Sequence, residues 1–95
     1  MRQIEWGLQA SFDLENIADH YDSIVPDLAE KMIRRIEKAA LPLIDYPGLG
    51  VSAGHLGLRK WRALNTPFLL LYTVVGDLVF IARVVHAESD WDSFV

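Results

Sequence analysis

Apolar residues recur at three- and four-residue steps from Ala10 through Leu14, Ile17, Tyr21 and Ile24, which predicts a helix opening after Gly7. Glu15, Asp19 and Asp22 form an acidic stripe on another face of it. Leu28, Ala29, Met32, Ile33, Ile36, Ala39 and Ala40 supply the buried side of a second helix, with Pro26 in its first turn and Pro42 kinking or ending it. Few residues join the two, so they should form an antiparallel helical hairpin. Ahead of them, Arg2 to Trp6 alternates as a short strand. After them, Asp45 to Gly57 has one Pro, four Gly and little periodicity, and reads as a loop. Three strands follow, at roughly Leu58–Leu64, Phe68–Val75 and Leu78 to about Val85. The Gly76-Asp77 pair between the last two suits a type II′ hairpin turn. The predicted fold is α+β, in the order β-α-α-β-β-β, with the helical hairpin packed on one face of a small antiparallel sheet.

Counting outward from Gly76-Asp77 assigns the hairpin two faces. Leu69, Leu71, Thr73, Phe80, Ala82 and Val84 share one, which carries no charge and should pack on the helices. Phe68, Leu70, Tyr72, Val74, Val79, Ile81, Arg83 and Val85 share the other. That second face is too apolar to be left to water, and Arg83 and Tyr72 are residue types enriched in interface hot spots, so it should meet a partner. A second copy of the chain, or the tail Ala87–Val95, is the rival cover for it.

Composition narrows the function. The chain has 95 residues, 52% of them hydrophobic and 23% charged, a folding composition with room for one domain over 1–95. It has no cysteine, hence no disulfide framework or thiolate metal site. No apolar run reaches bilayer length and the N-terminus has no signal-like apolar core, so the expected location is cytoplasmic, with no membrane contact. A net charge of −4 argues against a broad nucleic-acid footprint. Glu15, Asp19 and His20 could be imagined around a metal, but surface helix charges are ordinary, and neither metal nor cofactor is expected. Lys31, Arg34, Arg35 and Lys38 fall on one helix face, read as solvated, with the acidic stripe of the neighbouring helix against its flank. Arg59, Lys60 and Arg62 are the basic cluster of the C-terminal half. Trp61, Trp91 and Phe94 read as core or tail-docking anchors.

The segments Asp13–Tyr21 ("DLENIADHY"), Tyr46–Gly50 ("YPGLG"), Gly57–Arg62 ("GLRKWR") and Pro67–Trp91 ("PFLLLYTVVGDLVFIARVVHAESDW") together resemble the RelE/ParE superfamily of type II toxins, closer to ParE. The resemblance implies a toxin neutralised by a ParD-like antitoxin, whose disordered C-terminal segment folds as it binds. It also implies a first strand lying beside the last, a part in plasmid stabilisation, and contact with DNA only through the antitoxin complex. ParE-like members are associated with inhibition of DNA gyrase, whereas RelE-like members are ribosome-dependent endoribonucleases.

A metal-independent ribonuclease needs a base, an acid and cations around one phosphate. RelE-type nucleases cluster Lys and Arg there, with a Tyr near the C-terminus. In this chain the loop before the sheet holds His55 and no cation, and the tail after His86 carries acids and Trp91. The expectation is therefore a non-enzymatic gyrase inhibitor with no catalytic residues. Its partner-binding residues would be Arg59, Arg62, Phe68, Leu70, Tyr72, Ile81, Arg83 and Trp91. The alternative is RNA cleavage by His86 with Arg59 and Arg83. A further one is a non-toxic homologue that only binds an antitoxin.

Overall fold

The computed structural model describes residues 1–54 and 57–93; His55, and Phe94 and Val95 of the tail, lie outside the described residues. The chain runs β1 (Gln3–Trp6), α1 (Leu8–Asp22), α2 (Pro26–Ala40), α3 (Pro42–Asp45), β2 (Val51–Ser52), β3 (Arg59–Arg62), β4 (Phe68–Val75) and β5 (Leu78–His86), ending in a 3-10 turn at Trp91–Ser93. Pro26 stands at the first turn of α2, and Pro42 opens α3 directly after α2 closes, as prolines with no N–H to give should. Gly76 has φ +57°, while Asp77 keeps a negative φ, the backbone pattern of a II′ turn.

The five strands lie in the order β1-β5-β4-β3-β2. Neighbours from β2 to β5 are antiparallel, but β1 pairs with β5 in parallel, which makes the sheet mixed rather than antiparallel. The reason lies in the path of the first residues. Gln3 sits beside Leu78 and Trp6 beside Ile81, Asp13 of α1 bonds Val84, and Tyr21 stacks near Phe68, which pairs with His86. The chain thus follows β5 in one direction through strand and helix before α2 turns back.

The helical hairpin covers one sheet face. Ala10 and Ile17 of α1 and Met32, Ile36 and Ala40 of α2 pack with Leu43, Ala63, Phe68, Leu70, Tyr72, Val79, Ile81 and Val84. This reverses the expected assignment of faces. Phe68, Leu70, Tyr72 and Ile81 are buried under the helices and present nothing to a partner. The pairing explains the reversal: Tyr72 is opposite Ile81 but Leu71 is opposite Arg83, so Ala82 is an extra residue in β5. The bulge shifts parity beyond it. Val84 joins the helix-facing core, while Arg83 and Val85 fall in register with Leu71 and Leu69 on the outer face. There Ala53, Leu71 and Val85 form a second, smaller cluster with Leu58, Leu69 and Trp91. The start of the tail is therefore docked on the outer face, with the Lys60 ammonium 5.7 Å from the Trp91 ring centroid.

Candidate functional site

At the edge of β5, β1 extends only as far as Ile81. Beyond it the backbone N–H of Val84 would be left without a strand partner. Asp13 supplies one: its Oδ2 accepts the Val84 N–H at 2.9 Å and the Arg83 Nε–H at 2.8 Å, while Oδ1 accepts the Arg83 Nη2–H at 3.1 Å. Arg83 is therefore held in a bidentate ion pair, the two side chains being 26% and 13% exposed. Hydrogen bonding to the carboxylate, reinforced by its charge and only partly opposed by desolvation, raises the guanidinium pKa above its ordinary value. The raised value keeps Arg83 cationic well above neutral pH, and its side of the pair weakens only as pH climbs through that raised pKa. Asp13 had no assigned role in the sequence reading. The signal was present, because Asp13 lies three residues after Ala10 and four before Ile17, an acid set into the edge of an apolar stripe.

His86 closes β5. Its ring stands edge-on to Phe68, with centroids 5.7 Å apart, in a series continued by Tyr21 and His20. Its Nδ1 accepts the Glu88 N–H at 3.1 Å, and its carbonyl accepts the N–H and hydroxyl of Ser89. Holding Nδ1 as an acceptor assigns the neutral ring's proton to Nε2. His86 thus caps the turn that leads the tail away from the sheet.

Arg59 donates from Nη1 to the Gly50 carbonyl at 2.7 Å, tying β3 to the preceding loop. The same loop is pinned from beneath by Tyr72, whose hydroxyl accepts the Gly50 N–H at 2.9 Å and donates to the Pro47 carbonyl at 2.7 Å. Arg62 donates from Nε to the Thr66 carbonyl at 3.2 Å, within the β3–β4 connection. No acid of α1 pairs with the basic residues of α2 among the described residues; Arg34 pairs instead with Glu30 of its own helix.

The three residues considered for phosphate chemistry do not converge. Arg59 is in register with Tyr72 and His86 with Phe68, on strands either side of β4. Four residues along and two strands across put their backbones roughly 16 Å apart. Arg83 lies on the opposite face and is engaged at the sheet edge. Of the residues expected to bind a partner, Arg59, Arg62, Arg83 and Trp91 keep some surface, whereas Phe68, Leu70, Tyr72 and Ile81 do not.

With this geometry in hand, the relatives are informative. A family model described as "ParE toxin of type II toxin-antitoxin system, parDE" matches residues 4–91, and the chain belongs to that family of toxins. Toxin RelE2 of Caulobacter vibrioides is 34% identical over 89 residues, spanning 92% of this chain and 97% of that protein. Putative toxin Y4kP of Sinorhizobium fredii is 29% identical over 90 residues, spanning 95% and 93%. A solved structure described as a chromosomal ParDE TA system from P. aeruginosa superposes with a TM-score of 0.82 at 28% identity, over 90% of this chain and 96% of that one. YafQ of E. coli shares the fold, with a TM-score of 0.59 at 16% identity over the whole of both chains.

Proposed function

We propose that the chain is a non-enzymatic toxin that inhibits DNA gyrase in the cytoplasm and is neutralised by a ParD-like antitoxin. The observation that carries this reading over RNA cleavage is the dispersal of His86, Arg59 and Arg83. One sits at a turn, one is bonded to the Gly50 carbonyl, and one is tied to Asp13 on the other face. In-line attack on a phosphate needs acid, base and cations within hydrogen-bond reach of a single group. The net charge of −4 further weakens counterion-release binding to ribosomal RNA. An antitoxin partner is supported by the family and by the ParDE and DinJ-YafQ complexes among the similar solved structures. The outer sheet face between the docked Trp91 and the Gly76 turn, where Thr73 and Phe80 are half-buried, is the surface we assign to it.

RNA cleavage is the second reading, favoured by one observation: His86 is exposed at the end of the last strand. The two readings separate in vitro. Purified toxin with gyrase and supercoiled plasmid is expected to yield linear DNA, and His86→Ala to yield it within about threefold of wild type, the loss of general acid–base catalysis being far larger. A His86→Ala protein that folds normally yet loses growth arrest by a hundredfold or so would transfer the assignment to RNA cleavage.

A further inference from the structure

Where the C-terminal half of α2 meets the β3–β4 connection, the surface opens into a cavity of about 450 Å³, within the usual range for binding pockets. Trp61, Pro42 and Leu64 give it an apolar lining, Trp61 as its half-buried floor, and Arg35, Lys38 and Arg62 supply its cations. No carboxylate among the described residues lines it. Three cations around one hollow stand out in a chain whose net charge is −4.

These cations are not consumed by the fold. The Lys38 ammonium has no partner among the described residues. Among the described residues Arg35 and Arg62 each donate a single N–H to a backbone carbonyl, of Asn65 at 3.3 Å and Thr66 at 3.2 Å, which leaves their other guanidinium N–H groups open there. The floor is rigid. The Trp61 indole N–H is fixed on the Ala39 carbonyl at 2.9 Å, and Ala63 pairs with Phe68 across the connection. On that fixed base Leu64 is held 76% exposed, an apolar side chain kept in water beside cations with no carboxylate partner among the described residues.

We infer that this cavity is a docking site for an acidic peptide segment of a partner protein, with one bulky apolar side chain seated on Trp61, Pro42 and Leu64 and flanking carboxylates on Arg35, Lys38 and Arg62. The apolar floor decides between anion classes. A nucleic-acid backbone would satisfy the rim but leave the floor exposed, and the chain's net charge would repel the rest of the strand. An acidic segment with an apolar anchor satisfies both, in the arrangement of a desolvated anchor within a charged rim. The cavity shares none of its lining side chains with the Asp13–Arg83 pair or the His86 turn, and its assignment holds whichever target the toxin has.

The test uses fluorescence anisotropy of a labelled short peptide, one Leu flanked on both sides by Asp and Glu, titrated with the full chain. Saturable binding is expected, weakening about tenfold when Lys38→Glu is introduced or when the peptide carboxylates become amides, and weakening further with added salt. The Lys38 ammonium has no hydrogen bond or ion pair among the described residues, so Lys38→Glu loses only its favourable place in the last turn of α2 and should lower the thermal melt by no more than a few degrees. Arg35→Glu serves as the second variant. Absence of saturation, or binding undiminished in both variants, overturns the inference. Tighter binding of a single-stranded oligonucleotide of similar length, lost in the same variants, overturns it in favour of a phosphate ligand.

Discussion

Asp13→Ala is expected to destabilise the protein by about 2–3 kcal/mol, because it strands two groups at once. The Val84 N–H loses its acceptor at an edge that β1 does not reach, and the Arg83 guanidinium loses both of its carboxylate bonds. For a domain of this size the melting temperature should fall by roughly 10–20 °C. Asp13→Asn separates the two contributions. Its amide oxygen can still accept the Val84 N–H, so the loss should be smaller, about 1 kcal/mol. If Asp13→Ala melted within a degree or two of wild type, the edge lock would be a contact with no energetic weight. The same lock fixes where β5 bends, so the loss should also appear as faster amide exchange at Val84.

The second large effect is expected at the loop that crosses the end of the sheet. Tyr72 is fully buried, and its hydroxyl serves both Gly50 and Pro47. Tyr72→Phe keeps the ring but leaves the Gly50 N–H and the Pro47 carbonyl without that partner, a loss of about 1–3 kcal/mol. Gly50→Ala should be at least as severe. A Cβ there would lie 2.7 Å from the Tyr72 ring and hydroxyl and 2.8 Å from the Lys60 carbonyl, and the backbone atom cannot step aside. We expect about 3 kcal/mol from that overpacking. Chemical denaturation checks both values, and proteolysis within Tyr46–Gly54 should accelerate in Tyr72→Phe before global unfolding does. A Tyr72→Phe protein as stable and as protease-resistant as wild type would show that the loop is held by other means.

The helices were legible because their apolar stripes follow the helical period and prolines mark where α2 begins and α3 takes over. The β4–β5 hairpin was legible from Gly76-Asp77. Its faces were not, for a reason traceable to one residue. Strict alternation from the turn groups Arg83 with Ile81, and that charge made the group look like the exposed face. Ala82 bulges, so Arg83 crosses to the outer side and the uncharged, bulky row of Phe68, Leu70, Tyr72, Val79 and Ile81 lies under the helices. Both rows are apolar, so alternation alone carries no sign that distinguishes inside from outside. The parallel pairing of β1 was hidden similarly, since a short strand can take either direction and only the path of α1 along β5 selects one. Tyr72 was read as a polar handle for a partner. Its hydroxyl is instead satisfied by a loop twenty-odd residues earlier, a long-range contact with no local signature.

Asp13, His86 and Arg59 illustrate the same limit for the site. Each is a residue type that chemistry could use, and each is found holding a backbone group in place. What the sequence did carry about function was the order of four short segments, in keeping with the family shown by the match over residues 4–91.

The most direct measurement of the central claim is made in cells carrying the gene under tight control, scored soon after induction for gyrase-dependent double-strand DNA breaks and for cleavage of messenger RNA. A gyrase-inhibiting toxin predicts breaks that disappear in a host with a resistant gyrase, with message left intact. Cleaved message with unbroken DNA would contradict the account and make His86 the first residue to test as a catalyst.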